Sequence, residues 1–253
     1  MRYTDLVFDL YGTLVDIHTE EDDAAWEKTA LYMGYHGCRF SGNSLREAFE
    51  AEMKKREAKA GQGYEMYPEI PFDSVLADLF RTNGITAHAD ALGLTAAQVF
   101  RVTSTEYIRL YDGVLTALDA FRKKGFRLWL LSNAQRAFTA YELRQLGLGP
   151  QFDGVYLSSD YQCRKPDTRF FRILLDERQL TPSSCLMIGN DRETDIAGAQ
   201  SAGMATLYMH TNLTPAYQAK ADFRFTPSKE QNSNHYEYEG TDWYALQKMM
   251  LQL

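Results

Sequence analysis

Residues 5–16 read DLVFDLYGTLVD and hold the clearest structural signal in the chain. The apolar run Leu6-Val7-Phe8 is typical of a strand that is buried on both faces of a parallel sheet. The run stops at Asp9, and Gly12 allows the backbone to turn sharply just beyond it. A carboxylate in this position lies where open α/β sheets bind ligands, at the carboxyl end of a strand. A solvated aspartate in an ordinary loop is the alternative that this stretch leaves open.

The composition limits the class of protein. The chain has 253 residues, of which 45% are hydrophobic and 24% are charged, enough apolar material for one large domain or two smaller ones. Because no apolar run approaches the ~18 residues of a membrane span, we expect no membrane partner. The formal net charge of -7 argues against a nucleic-acid partner, although a small anion can still bind where the local field is positive.

The cysteines and the first residues bear on localisation. Cys38, Cys163 and Cys185 are odd in number, widely spaced and without a CxxC pair. We therefore expect free thiols in a cytoplasmic protein, and neither a disulfide framework nor a zinc site. The first residues lack the basic and apolar segments of an export signal. The oligomeric state cannot be inferred from the sequence.

A helical segment interrupts the sheet pattern after the first strand. Residues 15–18 look like a linker, and apolar residues then recur with helical spacing from about residue 20 to residue 107. Thr95 has the features of a helix N-cap. We find no convincing strand in this part, so we predict an all-helical insertion over residues 16–109. The insertion leaves and re-enters the sheet beside Asp9 and is therefore placed to act as a lid.

Beyond Asp112 the sequence alternates between strand and helix patterns. The predicted strands are 126–131, 154–157, 185–188 and 205–208, with a weaker candidate at 221–225. The predicted helices are 115–121, 138–146, 169–178, 196–202 and a closing helix at 243–251. Residues 232–240 are polar and aromatic. This alternation predicts an α/β domain with a parallel sheet and right-handed crossovers, made of residues 1–15 and 110–253.

Four predicted strand ends carry polar side chains. They are residues 9–13, Ser132-Asn133, Arg164-Lys165-Pro166, and Gly189-Asn190-Asp191 with Asp195. Parallel strands bring their carboxyl ends to one edge of a sheet, so we expect these groups to meet although they span most of the sequence.

The four segments together resemble the haloacid dehalogenase-like hydrolase superfamily, in the branch with a helical cap after the first strand. The matching motifs are FDLYGTLVD (8–16), LLSN (130–133), RKPD (164–167) and IGNDRETDIAGA (188–199). The resemblance covers the chain up to about residue 225. It implies a hydrolase with a Rossmann-like parallel sheet core, a three-layer α/β/α arrangement, and an inserted all-helical cap domain.

General chemistry and the resemblance assign the same roles. Asp9 is the expected nucleophile, which forms a covalent intermediate that water then cleaves. Lys165 offers a fixed positive charge to an anionic substrate, and hydroxyl and backbone N–H groups bind the substrate oxygens. The predicted catalytic set is Asp9, Tyr11, Thr13, Ser132, Asn133 and Lys165. Mg²⁺ is the expected cofactor, with ligands predicted to be Asp9, the Tyr11 carbonyl oxygen, Asn190, Asp191 and Asp195.

Several of these residues have a purely structural alternative. Lys165 could be a solvated loop lysine, and Thr13 could be a simple turn hydroxyl. Ser132 and Asn133 could cap a helix, a role that is compatible with catalysis.

Two features depart from the family pattern: Tyr11, and the segment of residues 189–195 (the acidic loop). Family phosphatases carry a second Asp two residues after the nucleophile as general acid; here that position is Tyr11, as in 2-haloacid dehalogenases, whose halide leaves without a proton. A tyrosine can donate a proton but is a poor base at neutral pH. The first metal-binding Asp of the family falls on Asn190. Asp191 and Asp195 could instead be acids that favour a helix N-terminus, although carboxylates near Asp9 would repel each other without a cation.

Three functions are compatible with these features. The first is a Mg²⁺-dependent phosphatase of a small phosphorylated metabolite, acting through an aspartyl-phosphate at Asp9. The second is a metal-free 2-haloacid dehalogenase with the same nucleophile, for which Arg39 is only a candidate for the substrate carboxylate. The third is a binding or regulatory module that has lost its general acid. Substrate identity would depend on the helical segment, where the candidate contacts are Lys54, Lys55, Tyr64, Met66 and Tyr67.

Overall fold

A parallel sheet forms the centre of the computed structural model, which describes residues 2–59, 67–215, 226–227 and 234–252. The strands are β1 Asp5–Phe8, β2 Val15–Thr19, β3 Thr105–Leu110, β4 Arg127–Ser132, β5 Gly154–Leu157, β6 Cys185–Gly189, β7 Ala205–His210, β8 Thr226–Pro227 and β9 His235–Glu239. Seven of them form one sheet in the order β5-β4-β1-β6-β7-β9-β8, in which only the pairing of β8 with β9 is antiparallel.

The helices lie on both faces of this sheet and in the segment that interrupts it. They are α1 Asp23–Tyr35, α2 Gly42–Lys59, α3 Phe72–Thr82, α4 Ala89–Ser104, α5 Val114–Lys124, α6 Arg136–Gln145, α7 Ser158–Tyr161, α8 Thr168–Glu177, α9 Gly198–Ser201 and α10 Trp243–Met250. Within the described ranges, no helix is both long enough and apolar enough to cross a bilayer.

The first strand lies in the interior of the sheet, between β4 and β6, and is apolar on both faces. Leu6 and Phe8 belong to one core, with α5 and α10, whereas Val7 belongs to the other, with α8. The alternation follows from the strand geometry, in which successive side chains point to opposite faces. β1 pairs in parallel with β4 and with β6. The predicted α/β fold with a Rossmann-like, three-layer α/β/α core is thereby confirmed.

Helices α1 to α4 have a core of their own. Trp26 of α1, Phe49 of α2, Phe80 of α3 and Phe100 of α4 belong to one buried apolar cluster. In this cluster the Trp26 ring lies 4.6 Å from the Phe100 ring, measured between centroids. The helical segment predicted after β1 is therefore present, with its own apolar interior.

An antiparallel ribbon joins the helical segment to the sheet, and it corrects two expectations. Residues 15–18 form most of β2 and are not a linker, and β2 pairs with β3, so the inserted segment is not all-helical. The pairs Val15 with Leu110 and Ile17 with Ile108 place apolar residues opposite each other. The ribbon crosses both predicted domain boundaries, at 15/16 and at 109/110, so the division into 1–15 and 110–253 against 16–109 stays a prediction.

One further local prediction was wrong. Thr95 lies inside α4 and donates a hydrogen bond to the Ala91 carbonyl, so it is not an N-cap. Residues 232–240, for which no element was predicted, contain β9. The helix predicted at 196–202 is present but begins earlier, as a π-helical turn over Arg192–Ala197 that continues into α9. The weak strand candidate at 221–225 lies outside the described residues.

Candidate active site

Asp9 lies directly after β1, at the carboxyl edge of the sheet, and is 7% exposed. Its backbone N–H donates to the Ile188 carbonyl at 2.9 Å, which fixes it to β6. The chain then turns through Gly12, whose φ of +81° is unfavourable for residues with a Cβ. The Asn190 side chain occupies the space that a Cβ on Gly12 would need. Glycine is therefore required here for backbone conformation and for close approach of the acidic loop.

Lys165 joins two carboxylates at the centre of the site. Its side chain is 1% exposed, and Nζ donates to Asp9 Oδ1 at 2.7 Å, to Asp195 Oδ1 at 2.6 Å and to the Leu131 carbonyl at 2.9 Å. These three bonds use all three ammonium protons. The expected meeting of residues 9, 165 and 195 is confirmed, and the alternative of a solvated loop lysine is wrong.

Asn133 holds the backbone of Lys165. Its side-chain oxygen accepts from the Lys165 N–H at 2.8 Å, and its side-chain nitrogen donates to the Lys165 carbonyl at 3.0 Å. Ser132 and Asn133 do not cap the next helix, because α6 begins at Arg136 with Gln135 as its N-cap. The amide of Asn133 therefore fixes the loop that presents the ammonium group.

Charge in this cluster is not balanced. Burial and, to a smaller extent, the charge of Asp9 raise the pKa of Asp195 to about 7, although the charge of Lys165 lowers it. Burial by itself lowers the pKa of Lys165, but Asp195 and Asp9 hold that pKa above its ordinary value. Lys165 is therefore charged, and one ammonium group serves two buried carboxylates. A cation near Asp9 and Asp195 would relieve the remaining repulsion.

Two hydroxyl groups contact the Asp9 carboxylate. Thr13 Oγ1 lies 3.3 Å from Asp9 Oδ2 and 3.3 Å from Asn190 Oδ1, and Ser132 Oγ lies 3.3 Å from Asp9 Oδ1. Both residues are buried. Both hydroxyl groups lie within hydrogen-bond distance of the expected nucleophile. Their catalytic roles, like those of the other predicted site residues, stay predictions.

The acidic loop gathers only part of the predicted metal ligands. Asp191 Oδ1 accepts from the N–H groups of Glu193 and Thr194 and so caps the π-helical turn, while the Asp191 N–H donates to Asp195 Oδ2 at 3.0 Å. The helix-terminus alternative is therefore correct for one oxygen of Asp191. Asp195 instead faces Lys165.

The donor atoms near Asp9 suit a hard cation. In the described part of the chain, the only group of three histidine or acidic side chains with ligand atoms within 4.8 Å is the exposed set His18, Glu20 and Glu106, on the ribbon. At the strand ends, the carboxylate of Asp9 and the amide oxygen of Asn190 share the Thr13 hydroxyl. These are oxygen ligands of the type that Mg²⁺ prefers. With the excess negative charge, they fit a magnesium ion.

A cavity of about 240 Å³ opens onto these groups. Its lining residues are Asp9, Tyr11, Ser132, Asn133, Lys165, Asn190, Asp191, Thr194, Asp195, Leu213 and Pro215. All the predicted site residues except Thr13 line it. Thr194, Leu213 and Pro215 were not predicted. The volume suits a small anion such as a phosphate group.

The Tyr11 hydroxyl points into a second cluster. It donates to the Glu142 carboxylate and lies 2.9 Å from Thr139 Oγ1. Glu142 also accepts from Arg101, at 2.6 Å and 3.2 Å, and the guanidinium carbon lies 5.4 Å from the centre of the Tyr11 ring. Burial and the charge of Glu142 raise the pKa of Tyr11 far above its ordinary value.

Sequence reasoning missed Arg101, Thr139 and Glu142. The sequence did contain a signal for two of them. Thr139 and Glu142 are three residues apart, so they share one face of the predicted helix, and both are buried in α6. Arg101 comes from α4, and its pairing across the fold has no local pattern.

Among the described residues, the expected substrate contacts of the helical segment do not line the cavity. Arg39, Lys54 and Lys55 are exposed and do not line it. The Tyr67 carbonyl accepts from the Arg164 N–H, next to Lys165. Tyr64 and Met66 lie outside the described residues.

Comparison with known proteins establishes the class of this protein. The sequence model of the haloacid dehalogenase-like hydrolase family matches residues 6–203. The chain therefore belongs to this family and is a hydrolase, as the four motifs predicted.

Two curated relatives match a smaller part of the chain than the family model does. A glyceraldehyde 3-phosphate phosphatase of Methanothermobacter thermautotrophicus is 31% identical over 43% of this chain and 48% of its own length. A phosphoserine phosphatase of Thermus thermophilus is 30% identical over 48% of this chain and 49% of its own. The chain thus matches about half the length of these curated relatives. A crystal structure of 2-haloacid dehalogenase from Pseudomonas syringae pv. Tomato DC3000 shares the fold, with a TM-score of 0.66, 20% identity and 99% coverage of both chains.

Proposed function

We propose that this hydrolase is a Mg²⁺-dependent phosphatase that removes the phosphate group of a small phosphorylated metabolite through an aspartyl-phosphate at Asp9. The observation that carries the proposal is the buried Lys165 ammonium group, 2.7 Å from Asp9 Oδ1 and 2.6 Å from Asp195 Oδ1, at the end of a polar cavity. A fixed cation beside a carboxylate nucleophile is what attack on a dianionic phosphate requires.

The residues divide the work of the reaction. Asp9 attacks phosphorus, and the leaving oxygen departs from the opposite side. Lys165 orients the Asp9 carboxylate and offsets the charge of the incoming phosphate group. Ser132, which lines the cavity, donates a hydrogen bond to a non-bridging oxygen, and Thr13 orients the Asp9 carboxylate. Asn133 fixes the backbone of the Lys165 loop. Water then cleaves the aspartyl-phosphate and restores Asp9.

A magnesium ion would be held by Asp9, Asn190 and Asp195, with the predicted Tyr11 carbonyl as a further ligand. It would supply positive charge to the phosphate oxygens. Asp191 is a weaker candidate, because one of its oxygens caps the adjacent turn. Support for the ion comes from the oxygen-rich donor set and from the unbalanced charge of the two carboxylates that share Lys165.

The named relatives support phosphate esters as substrates. Apart from the two described above, they include phosphoglycolate phosphatases of Vibrio vulnificus and Vibrio cholerae. Because each matches only about half of this chain, the substrate itself stays a proposal. We further propose that residues 16–109 act as a cap domain over the cavity and that the protein works in the cytoplasm, which its three free, buried cysteines favour. A small anion, and no nucleic acid, is the proposed partner.

The test is phosphate release from p-nitrophenyl phosphate and acetyl phosphate, measured with Mg²⁺ and with EDTA. We expect turnover that needs Mg²⁺ and that disappears in Asp9→Asn, while the control Asp176→Asn, at an exposed position of α8, retains it. Equal turnover in EDTA would contradict the metal dependence. Full turnover in Asp9→Asn would contradict the nucleophile.

A metal-free 2-haloacid dehalogenase is the second candidate, favoured by one observation. The Tyr11 hydroxyl already donates to Glu142, and halide is a leaving group that needs no proton. Halide release from 2-chloropropionate without metal would support it. Hydrolysis in ¹⁸O-water separates the two mechanisms: an acyl ester incorporates ¹⁸O into Asp9, whereas an aspartyl-phosphate, attacked at phosphorus, incorporates it into inorganic phosphate.

A further inference from the structure

Tyr11 lies two residues beyond Asp9, on the wall of the same cavity, and holds the sequence position where the family resemblance places a general acid. An acid that protonates a leaving oxygen needs an O–H group free to point at it. The Tyr11 hydroxyl instead donates its only proton to Glu142. It is therefore not available to a substrate in this arrangement.

Glu142 is held firmly in its place. It is 7% exposed, and Arg101 of α4 binds both of its oxygens, at 2.6 Å and 3.2 Å. Thr139, one helical turn earlier, lies 2.9 Å from the Tyr11 hydroxyl. The proton acceptor is thus fixed by two helices, one from the helical segment and one from the sheet domain, so that the Tyr11 side chain cannot rotate without breaking a charge-assisted hydrogen bond.

The remaining acidic side chains on the cavity wall are also engaged. Asp195 accepts from the Lys165 ammonium group and from the Asp191 N–H. Asp191 caps the π-helical turn. Asp9 is the nucleophile of the proposed function, so it cannot protonate the leaving group in the same step.

We propose that Glu142 is a specificity-determining positioning residue that withholds the Tyr11 proton, so that the site accepts phosphate compounds whose leaving group departs as a stable anion. Acyl phosphates and the phosphates of acidic phenols form this substrate class. The inference rests on the phosphatase function proposed above and narrows its substrates. It separates this chain from relatives named for aliphatic esters such as phosphoserine.

The chemistry balances without an acid for this class. In the first step Asp9 Oδ forms a bond to phosphorus, the bond from phosphorus to the leaving oxygen breaks, and the electron pair departs as carboxylate or phenolate. In the second step water attacks phosphorus, the bond to Asp9 breaks, and both water protons remain on the released phosphate. An aliphatic alkoxide would need a proton in the first step, which Tyr11 does not supply.

The test compares leaving groups at constant size. Acetyl phosphate and ethyl phosphate are nearly equal in shape, and a series of substituted phenyl phosphates grades the acidity of the phenol. With Mg²⁺ present, we expect kcat/KM to be higher for acetyl phosphate by about 10²–10⁴-fold, the usual contribution of general acid catalysis, and to fall steadily along the phenol series. Similar rates for acetyl and ethyl phosphate would overturn the inference.

Three variants locate the cause. Tyr11→Phe is expected to leave the dependence on leaving-group acidity unchanged, because the hydroxyl does not serve the substrate. Glu142→Gln retains an oxygen that accepts from Tyr11 and should behave like the wild type. Glu142→Ala releases the hydroxyl and should make the dependence shallower, mainly through kcat. A selective loss of the poorest substrates in Tyr11→Phe, or an unchanged dependence in Glu142→Ala, would overturn the assignment.

The outcomes also separate this inference from the proposed function. Mg²⁺-dependent turnover with no preference among leaving groups would contradict the inference alone. No turnover on any phosphate compound would contradict the proposed function, and the inference with it.

Discussion

Two buried charge clusters differ in their charge balance, one centred on Lys165, which lines the cavity, and the other on Glu142, which contacts the cavity-lining residue Tyr11. In the first, one ammonium group serves the carboxylates of Asp9 and Asp195. In the second, one carboxylate meets one guanidinium group, that of Arg101, and a tyrosine hydroxyl. The first cluster has one more carboxylate than it has cations, and two hydroxyl groups contact Asp9, whereas in the second cluster the charges balance. The comparison teaches that incomplete neutralisation, and not burial of charge as such, marks the reactive cluster.

The largest effect is expected where the unbalanced cluster loses its cation. Lys165→Met leaves two buried carboxylates without an ion-pair partner, so the free energy of unfolding should fall by about 3–5 kcal/mol. Turnover should fall by at least about 10²-fold, because the charge that receives the phosphate group is gone. Urea unfolding and kcat/KM measure the two effects. Lys123→Met, in an exposed pair with Asp119, is the matched control and should change little. Activity close to wild type in Lys165→Met would contradict its assigned role.

Removal of the cation from the balanced cluster should affect stability more than catalysis. Arg101→Met leaves Glu142 largely buried without its ion pair, and we expect the free energy of unfolding to fall by about 2–3 kcal/mol. Turnover of p-nitrophenyl phosphate should stay within about tenfold of wild type, since Arg101 does not line the cavity. The same two assays apply, and Arg81→Met, in an exposed ion pair, is the control. A loss of turnover as large as that of Lys165→Met would remove the distinction between the clusters.

Asn133→Ala should have an intermediate effect on catalysis. The substitution removes both hydrogen bonds to the Lys165 backbone and should cost about 1–2 kcal/mol of unfolding free energy. Misplacement of the ammonium group should lower kcat by about tenfold with little change in KM. Asn133→Asp keeps one acceptor and should lie between alanine and wild type. An unchanged kcat in the alanine variant would show that the loop holds its place without this clamp.

The smallest effect is expected at Glu69, a carboxylate outside both clusters that accepts hydrogen bonds from neutral side chains. It accepts from Ser158 Oγ at 2.9 Å and from Gln135 Nε2 at 2.5 Å, and burial raises its pKa. The folded state therefore binds more protons than the unfolded state just above the ordinary pKa, so this group's contribution to the unfolding free energy falls as pH rises through that window. Glu69→Gln has no carboxyl group to titrate at this position. Its free energy of unfolding should therefore rise relative to that of the wild type between about pH 4.5 and pH 7.5. Urea unfolding of both proteins at the two pH values measures this change. A fall in the free energy of unfolding of Glu69→Gln relative to the wild type would contradict the prediction.

Strands and strand ends were predictable from the sequence because they depend on local pattern. The run before Asp9 is apolar and ends in a carboxylate and a glycine. Lys165 lies beyond β5 and α7, so its position depends on the loop that Asn133 holds as well as on the parallel topology. The ribbon was harder to predict because β2 and β3 lie far apart in the sequence and β3, which reads TEYIRL, lacks a regular alternation. β9 does carry the alternation of a strand, in HYEYE, and could have been recognised.

The side-chain clusters could be predicted only in part. Motifs placed Asp9, Lys165 and Asp195 together, because Asp9 follows β1 and the other two lie in the segments that follow β5 and β6. The capping role of Asp191 depends on the π-helical turn, and no residue pattern in the sequence predicts the geometry of that turn. The Glu142 cluster joins α4 to α6 through long side chains, so its members depend on how two helices pack.

The central claim is that Asp9 carries the phosphoryl group during turnover. Acid quenching of the enzyme during steady-state hydrolysis of acetyl phosphate with Mg²⁺, followed by proteolysis and mass spectrometry, tests it directly. We predict that the peptide containing Asp9 gains the mass of one phosphoryl group, and that Asp9→Asn shows no such gain. Turnover without any adduct on that peptide, or with the phosphoryl group on another residue, would contradict the claim.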